Sequence, residues 1–232
     1  MTAVIFGANG GIGAALVEAL AGRGETVHAF ARSEIAAPEG VTAHIGDPFD
    51  EEWLASELAG IGEADLVVVA SGILTLADGT GPEKTYRALD AEAMTEVLRI
   101  NTVLPALIAK HALPLLPRKE RGVFAAISAK VGSIEDNRLG GWHSYRASKA
   151  ALNMLVKNFA IELARTHKQA AVVALHPGTV NTGLSEPFQQ GLPEGQVRPA
   201  PEAAHDLLAV LDKVTPDDSG ALLAYDGERL PY

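Results

Sequence analysis

Short apolar runs alternate with longer amphipathic stretches along the whole chain. Seven runs are rich in β-branched or other apolar residues and predict strands at 2–6, 26–31, 42–45, 65–70, 122–127, 170–175 and 221–225. Between them, apolar positions at helical spacing predict helices at 11–21, 51–59, roughly 90–116, roughly 142–166 and 201–212. Several strands are apolar at almost every position, as in a parallel sheet covered on both faces. The alternation predicts an α/β fold with a doubly wound parallel sheet of about seven strands flanked by helices.

The number of domains follows from length and composition. The chain has 232 residues, and no linker rich in proline, glycine or serine divides it. It contains no internal repeat, so we expect a single domain over residues 1–232. Its residues are 47% hydrophobic, with a mean hydropathy of +0.12, which is enough for one well-buried core.

Charge and cysteine content narrow the partners and the compartment. The formal net charge is -10, which argues against a nucleic-acid or anionic-membrane surface. The chain has no cysteine, so it has no disulfide framework and no thiolate chemistry, and this fits a reducing compartment. Residues 1–7 lack the basic start of a signal peptide, and no apolar run approaches the roughly 20 residues that a membrane span needs. We expect a soluble cytoplasmic protein.

Glycines follow the first predicted strand in the stretch VIFGANGGIG. Gly7, Gly11 and Gly13, with Asn9 and Ile12 between them, lie at the start of the first predicted helix. In this context one glycine permits the tight turn, one lets the backbone approach a pyrophosphate, and one permits close packing of helix on strand. The helix N-terminus would then face the phosphates. A glycine-rich turn without a ligand is the alternative, but the order strand, glycines, helix favours a dinucleotide site.

The end of the second strand indicates which dinucleotide is bound. A protein that binds NAD(H) usually carries an acidic residue here, which accepts from the ribose 2′-hydroxyl. This chain has Ala31 followed by Arg32 and Ser33. A guanidinium binds phosphate oxygens in a bidentate manner, so the pair suits a 2′-phosphate. The sequence favours NADP(H) over NAD(H), with a solvated loop arginine as the alternative.

Tyr145 and Lys149 are four residues apart at the start of a predicted helix and therefore share one face. A free phenol has a pKa near ~10, and an adjacent cation favours the phenolate. The pair is a candidate for a tuned general acid. Tyrosine and lysine also occur at this spacing by chance on solvated helix faces, so the pair alone does not decide.

Three motifs together resemble the classical short-chain dehydrogenase/reductases over essentially the whole chain. They are the glycines above, Tyr145-x3-Lys149, and HPGTVNT at 176–182. The stretches GSIEDNRLGGWHSYRASKAALNML and ALHPGTVNTGLS resemble more narrowly the C-factor-like subgroup. The resemblance implies a Rossmann-type fold, a homodimer or homotetramer, and an NADP(H)-dependent oxidoreductase that reduces an aldehyde or ketone or oxidises the corresponding alcohol.

Matching residue by residue implies roles for this chain. Tyr145 would protonate the substrate carbonyl oxygen, Lys149 would lower its pKa and hold the nicotinamide ribose, and Asn101 would organise a relay water. Asp47 would lie beside the adenine, and the segment that grips the carboxamide would be Pro177, Gly178, Val180 and Thr182. The implied cofactor-binding set is Gly7, Asn9, Gly11, Ile12, Gly13, Arg32, Ser33, Asp47, Gly72, Tyr145, Lys149, Pro177, Gly178, Val180 and Thr182.

Several positions depart from the family pattern. The serine that hydrogen-bonds the substrate oxygen is matched by Ala129, and we consider Ser133, four residues on, as a substitute. Residues 69–72 read VASG where the family has NNAG, and Phe6 replaces a threonine. Losing one donor to an oxyanion typically costs about 10²–10³ in rate. These changes support an alternative, a weakly active or non-catalytic NADP(H)-binding signalling or redox-sensing protein.

Other side chains near the predicted site define neither a metal centre nor a substrate. His143 and His176 flank the site without a ligand partner at useful spacing, so we expect no metal. The loops at 133–144 and 183–199 should border the substrate. Their sequences show no pattern that identifies it.

Overall fold

The computed structural model describes residues 1–35, 37–190, 192–193 and 195–232. They form one eight-stranded sheet in the order β10-β9-β6-β5-β4-β1-β2-β3, in which every pairing is parallel except β10 with β9. The strands of this sheet are β1 Thr2–Phe6, β2 Thr26–Ala31, β3 Val41–Ile45, β4 Leu66–Val69, β5 Gly122–Ile127, β6 Ala170–His176, β9 Leu222–Ala224 and β10 Arg229–Leu230. Two further strands, β7 Thr179–Val180 and β8 Val197–Arg198, pair with each other.

The described ranges contain six α-helices, five of which pack on the two faces of the sheet. They are α1 Gly11–Gly22, α2 Glu51–Ile61, α3 Ala91–Leu98, α4 Leu104–Ala112, α5 His143–Leu163 and α6 Ala200–Leu211. Helices α1 and α6 pack on one face around Leu16, Leu20 and Leu207, while α2, α4 and α5 pack on the other around Leu54, Ile108 and Leu152. None of the helices in the described ranges is long and apolar enough to cross a membrane.

The predicted α/β fold with a mostly parallel sheet is confirmed, and all seven predicted strands are present. The sequence pattern missed the antiparallel edge strand β10 and the pair β7–β8. Each of these has two residues, which is too short to show a period in hydrophobicity.

The helix predicted at roughly 90–116 is interrupted, and this interruption positions a site residue. Between α3 and α4 lies a π-helical segment, Arg99–Val103, in which the Leu104 amide donates to the Arg99 carbonyl five residues back. Pro105 explains the change, since proline has no N–H to donate to the carbonyl of residue 101. Such π-bulges are frequent at functional sites, and this one contains Asn101.

Candidate active site

The glycine turn between β1 and α1 forms a cradle that side chains would fill. Gly7 has φ +76°, and a Cβ there would lie 2.8 Å from the Ser71 amide nitrogen. A Cβ on Gly13 would lie 2.1 Å from the Gly7 carbonyl oxygen, and one on Gly11 would lie 2.4 Å from Cγ2 of Thr182. The first-turn amides of α1 have no intrahelical acceptor and carry the positive end of the helix dipole. The cradle therefore fits the pyrophosphate of a dinucleotide.

The cleft continues from the glycine turn to the end of β2. The part of the cleft beside β2 has a volume of about 140 Å³, and it is lined by residues that include Gly7, Asn9, Arg32, Asp47 and Gly72. Asn9 Nδ2 donates to Ser33 Oγ at 2.9 Å, which ties the turn after β1 to the turn after β2. The structure therefore places the residues predicted for the adenosine end of the cofactor around one cleft.

Tyr145 and Lys149 lie side by side on α5 at the other end of the cleft. Both are buried, with exposed fractions of 8% and 3%, and Lys149 Nζ is 5.7 Å from the centre of the Tyr145 ring. Lys149 Nζ also donates to the Ile127 carbonyl at 2.9 Å. The two residues are therefore a buried pair at the end of β5, and not a solvated surface pair.

Burial sets the pKa values of this pair. It raises the pKa of Tyr145 to about 12 and lowers the pKa of Lys149 to about 8. Both shifts come from burial, which disfavours the charged form of each group, and the expected lowering of the Tyr145 pKa by Lys149 stays a prediction. At neutral pH Tyr145 holds its proton and is ready to act as an acid.

Asn101 links three elements that meet behind the pair. Its Oδ1 accepts from the Ile73 amide, and its Nδ2 donates to the Ile73 carbonyl, each at 2.8 Å. The same Nδ2 donates to Ser148 Oγ at 3.1 Å, and Ser148 Oγ donates to the Tyr145 carbonyl at 2.8 Å. The π-helical segment thereby fixes the loop after β4 and the first turn of α5. Ser148 was missed from the sequence, although its place directly before Lys149 was a usable signal.

The segment after β5 contains Ala129, which matches the family serine, and Ser133, its possible substitute. Ala129 lines the cleft with Tyr145. Ser133 is buried and accepts from the Asp136 amide at 3.0 Å, and it does not belong to the described lining of the cleft. The structure therefore does not bring Ser133 to the reacting position. Ser128, before Ala129, is also buried and donates to Asn153 Oδ1 at 2.7 Å.

The segment after β6 forms the wall opposite α5. From this segment Pro177, Gly178, Val180 and Thr182 line the cleft with Tyr145 and Lys149, together with His176 at the end of β6 and Ile12 of α1. Gly178 has φ +76°, a conformation that favours glycine. Burial lowers the pKa of His176 to about 4, so its imidazole is neutral at pH 7. The residues predicted to hold the nicotinamide therefore face the Tyr–Lys pair.

Aromatic side chains close the substrate side of the cleft. Trp142, directly before α5, has φ 50°, and its ring meets those of Tyr145 and Phe188 edge-on at 6.2 and 5.3 Å between centres. The carboxylate of Glu83 holds this corner by accepting from the amide and hydroxyl of Ser144 in the first turn of α5. Glu83 lies about 60 residues away in sequence from α5, and no motif indicated this contact.

In the ranges that the structure describes, no group of three or more His, Asp or Glu side chains is arranged to hold a metal ion. The titratable side chains that line the cleft within these ranges are Tyr145, Lys149 and His176.

The order of strands around β1, with the glycine turn at the carboxyl end of that strand, defines a Rossmann-type nucleotide-binding protein. Residues 1–192 match the family described as short chain dehydrogenase, and the chain belongs to this family of oxidoreductases.

Two relatives and one solved structure place the chain within the family. It is 33% identical over 239 residues to 1-hydroxy-2-glutathionyl-2-methyl-3-butene dehydrogenase of Rhodococcus sp. (strain AD45), covering 100% of this chain and 99% of the relative. It is 31% identical over 144 residues to C-signal of Myxococcus xanthus, covering 62% of this chain and 81% of the relative, which confirms the resemblance to the C-factor-like subgroup. A short-chain dehydrogenase/reductase of Burkholderia multivorans with bound NADP superposes with a TM-score of 0.81 at 25% identity, covering 100% of this chain and 99% of that structure.

Proposed function

We propose that the protein is an NADP(H)-dependent oxidoreductase that reduces an aldehyde or ketone, or oxidises the matching alcohol, with Tyr145 as general acid and base. The observation that carries this proposal is the buried Tyr145–Lys149 pair, set in a cleft that continues to the glycine cradle after β1. A bound dinucleotide supplies or accepts the hydride. A screen of aldehydes and ketones with NADPH as reductant tests the proposal, and the absence of any turnover would contradict it.

Side chains of this protein supply the proton that the carbonyl oxygen takes up during reduction. With its pKa at about 12, Tyr145 is protonated at neutral pH and donates to the oxygen of the carbonyl as negative charge develops there. Lys149 is mostly protonated at pH 7, and a positioned ammonium stabilises the phenolate that remains. Its Nζ, which lies close to Gly72, would also donate to the ribose hydroxyls of the cofactor. Asn101 acts through Ser148 and the loop after β4, and so positions both groups.

Arg32 supports the choice of NADP(H). It is exposed at the end of β2 and lines the cleft, and Ser33 beside it is oriented by Asn9. The related Burkholderia structure contains NADP. We expect NADPH to bind at least ~10-fold more tightly than NADH, and Arg32→Ala to remove most of the difference, because a charge-assisted pair contributes about 1.5–3 kcal/mol. Titration of each cofactor by calorimetry measures this, and equal dissociation constants in the parent would refute it.

Ala129 favours a second candidate function, a weakly active NADP(H)-binding sensor or signalling protein. Ala129 lines the cleft with Tyr145 at the position that the family pattern assigns to the substrate-binding serine, while Ser133 accepts from the Asp136 amide. If the protein is an enzyme with one donor missing, Ala129→Ser should raise kcat, by about 10-fold or more. Steady-state turnover of one aldehyde by both proteins measures this. A parent already as fast as the serine variant would show that no donor is missing.

We also propose a single domain over residues 1–232, a cytoplasmic location and a homodimer or homotetramer. The eight-stranded sheet spans residues 2–230, which supports one domain. Met154 and Ile161, on α5, are 62% and 53% exposed, and a subunit contact would cover them. Sedimentation equilibrium at several concentrations tests the oligomeric state.

A further inference from the structure

Tyr145 borders two spaces. The catalytic cleft, which contains Tyr145 and Lys149, has a volume of about 230 Å³. A second space, here called the side cavity, lies between the first turn of α5 and the segment 74–97, and its volume is about 470 Å³. Leu74, Tyr145 and Phe188 line both. A carbonyl group held at Tyr145 therefore has room for a substituent on each of its two sides.

The substrate end of the catalytic cleft is apolar and aromatic. Val131, Trp142 and Leu184 line it together with Phe188. The rings of Trp142, Tyr145 and Phe188 already meet edge-on, which is the arrangement that a further aromatic ring can join. This end of the cleft fits an aryl group.

The side cavity is lined by both apolar and charged residues. Its apolar wall consists of Leu74, Leu76, Pro82, Ala93, Val97 and Phe188, and its charged residues within the described chain are Glu83, Lys84 and Asp90. Glu83 is occupied by Ser144, and the pKa of its carboxyl is held low by the hydrogen bonds from Ser144 despite the opposing effect of burial, so it stays negative. Two carboxylates against one lysine disfavour an anionic substituent. The cavity fits a neutral apolar group.

We propose that the substrate class is a neutral ketone with an apolar ring on each side of the carbonyl, one in the catalytic cleft and one in the side cavity. This inference rests on the proposed function, because it places the carbonyl at Tyr145. Burying one more phenyl group in an apolar cavity should increase kcat/KM by about 10–100-fold.

A matched pair of ketones tests the proposal. Acetophenone has one ring, and 1,2-diphenylethanone is the same molecule with a second phenyl group on its methyl carbon. With NADPH and the intact protein, kcat/KM for the two-ring ketone should exceed that for acetophenone at least tenfold. Equal values, or a preference for acetophenone, would overturn the proposal.

Substitutions on α3 locate the second ring. Ala93, half-buried on α3, lines the side cavity and not the catalytic cleft, so Ala93→Phe should fill the cavity and reduce the tenfold ratio to near one. Ala93→Leu should reduce it partially and serves if the larger variant does not fold. Ala91→Phe is the matched control, since Ala91 is exposed on the same helix and lies outside the described lining. A ratio unchanged by Ala93→Phe would overturn the proposal.

A binding measurement separates this proposal from the proposed function. Calorimetric titration of the protein loaded with NADP⁺, which cannot reduce a ketone, should show the same tenfold preference between the two ketones and the same loss in Ala93→Phe. If this preference is found without turnover, the enzyme assignment fails and only the binding preference for a ketone with two rings stands. If both ketones are reduced at equal rates and bind equally, the enzyme assignment stands and the substrate class fails.

Discussion

Replacing Tyr145 with phenylalanine should lower the rate of carbonyl reduction by about 10²–10⁴-fold, the contribution that a positioned general acid usually makes. The phenylalanine ring keeps the contacts with Trp142 and Leu74 and removes only the proton donor. NADPH affinity should therefore stay nearly unchanged. Single-turnover reduction followed at the NADPH absorbance, with the cofactor dissociation constant measured separately, distinguishes lost chemistry from lost binding.

Tyr86→Phe is the matched control for this experiment. Tyr86 is 65% exposed and lines neither the catalytic cleft nor the side cavity, so its hydroxyl should be dispensable for carbonyl reduction. If reduction survives in Tyr145→Phe at the parent rate, Tyr145 is not the acid. If the parent itself shows no reduction while it binds NADPH, the sensor function is favoured.

The fold could be predicted because its signals are local. The central parallel strands are buried on both faces, so Leu66–Val69 and Gly122–Ile127 are buried at every position and stand out as continuous apolar runs. The interruption of the helix around Asn101 was not recognised, although Pro105 marked it four residues later. The edge strand Arg229–Leu230 was too short to be recognised.

The candidate site could be predicted only where a motif fixes the spacing. The glycine turn and the Tyr145–Lys149 pair are local patterns, and the structure brings both to the carboxyl end of the sheet. Contacts between distant segments had no such pattern. Glu83 caps the first turn of α5, and Phe188 divides the two spaces beside Tyr145. Both depend on how loops fold back over the sheet, which spacing along the chain does not encode.

The pKa values of Tyr145 and Lys149 also could not be predicted from spacing along the chain. Helical spacing correctly placed the ammonium of Lys149 next to the ring of Tyr145, but spacing carries no information on burial. In the structure burial raises the pKa of Tyr145 to about 12 and lowers the pKa of Lys149 to about 8. Both shifts favour the neutral form of the group. The free energy that it costs to bury Lys149 as an ammonium can be measured.

Lys149→Met should impair function and stabilise the fold at the same time. If the proposed function holds, the substitution removes the cation that stabilises the phenolate and the donor to the ribose, so NADPH affinity should fall about 10-fold and carbonyl reduction at least ~100-fold. In the unliganded protein, however, a buried ammonium costs free energy. Its pKa falls from 10.5 to about 8, so at pH 7 its removal should raise the free energy of unfolding by about 2 kcal/mol, after allowing for the lost bond to the Ile127 carbonyl.

The pH dependence gives the decisive test of this cost. Below pH 8 Lys149 is charged in both the folded and the unfolded chain, and the full penalty is present. Between pH 8 and about 10 the unfolded chain binds more protons than the folded one, so the parent gains stability as the pH rises. Tyr145 counteracts this gain in stability only above pH 10, because there its phenol ionises in the unfolded chain but keeps its proton in the folded chain. Urea unfolding should therefore show a smaller difference in the free energy of unfolding between Lys149→Met and the parent at pH 10 than at pH 7.

Two further variants identify the cause. Lys157→Met removes an exposed lysine from the same helix and should change neither the cofactor affinity nor the pH dependence. Lys149→Arg keeps the charge but replaces a compact ammonium with a planar fork, so activity should fall while the stability advantage is absent. If Lys149→Met is less stable than the parent at pH 7 and equally sensitive to pH, the lysine is held by favourable contacts, and burial does not set its pKa.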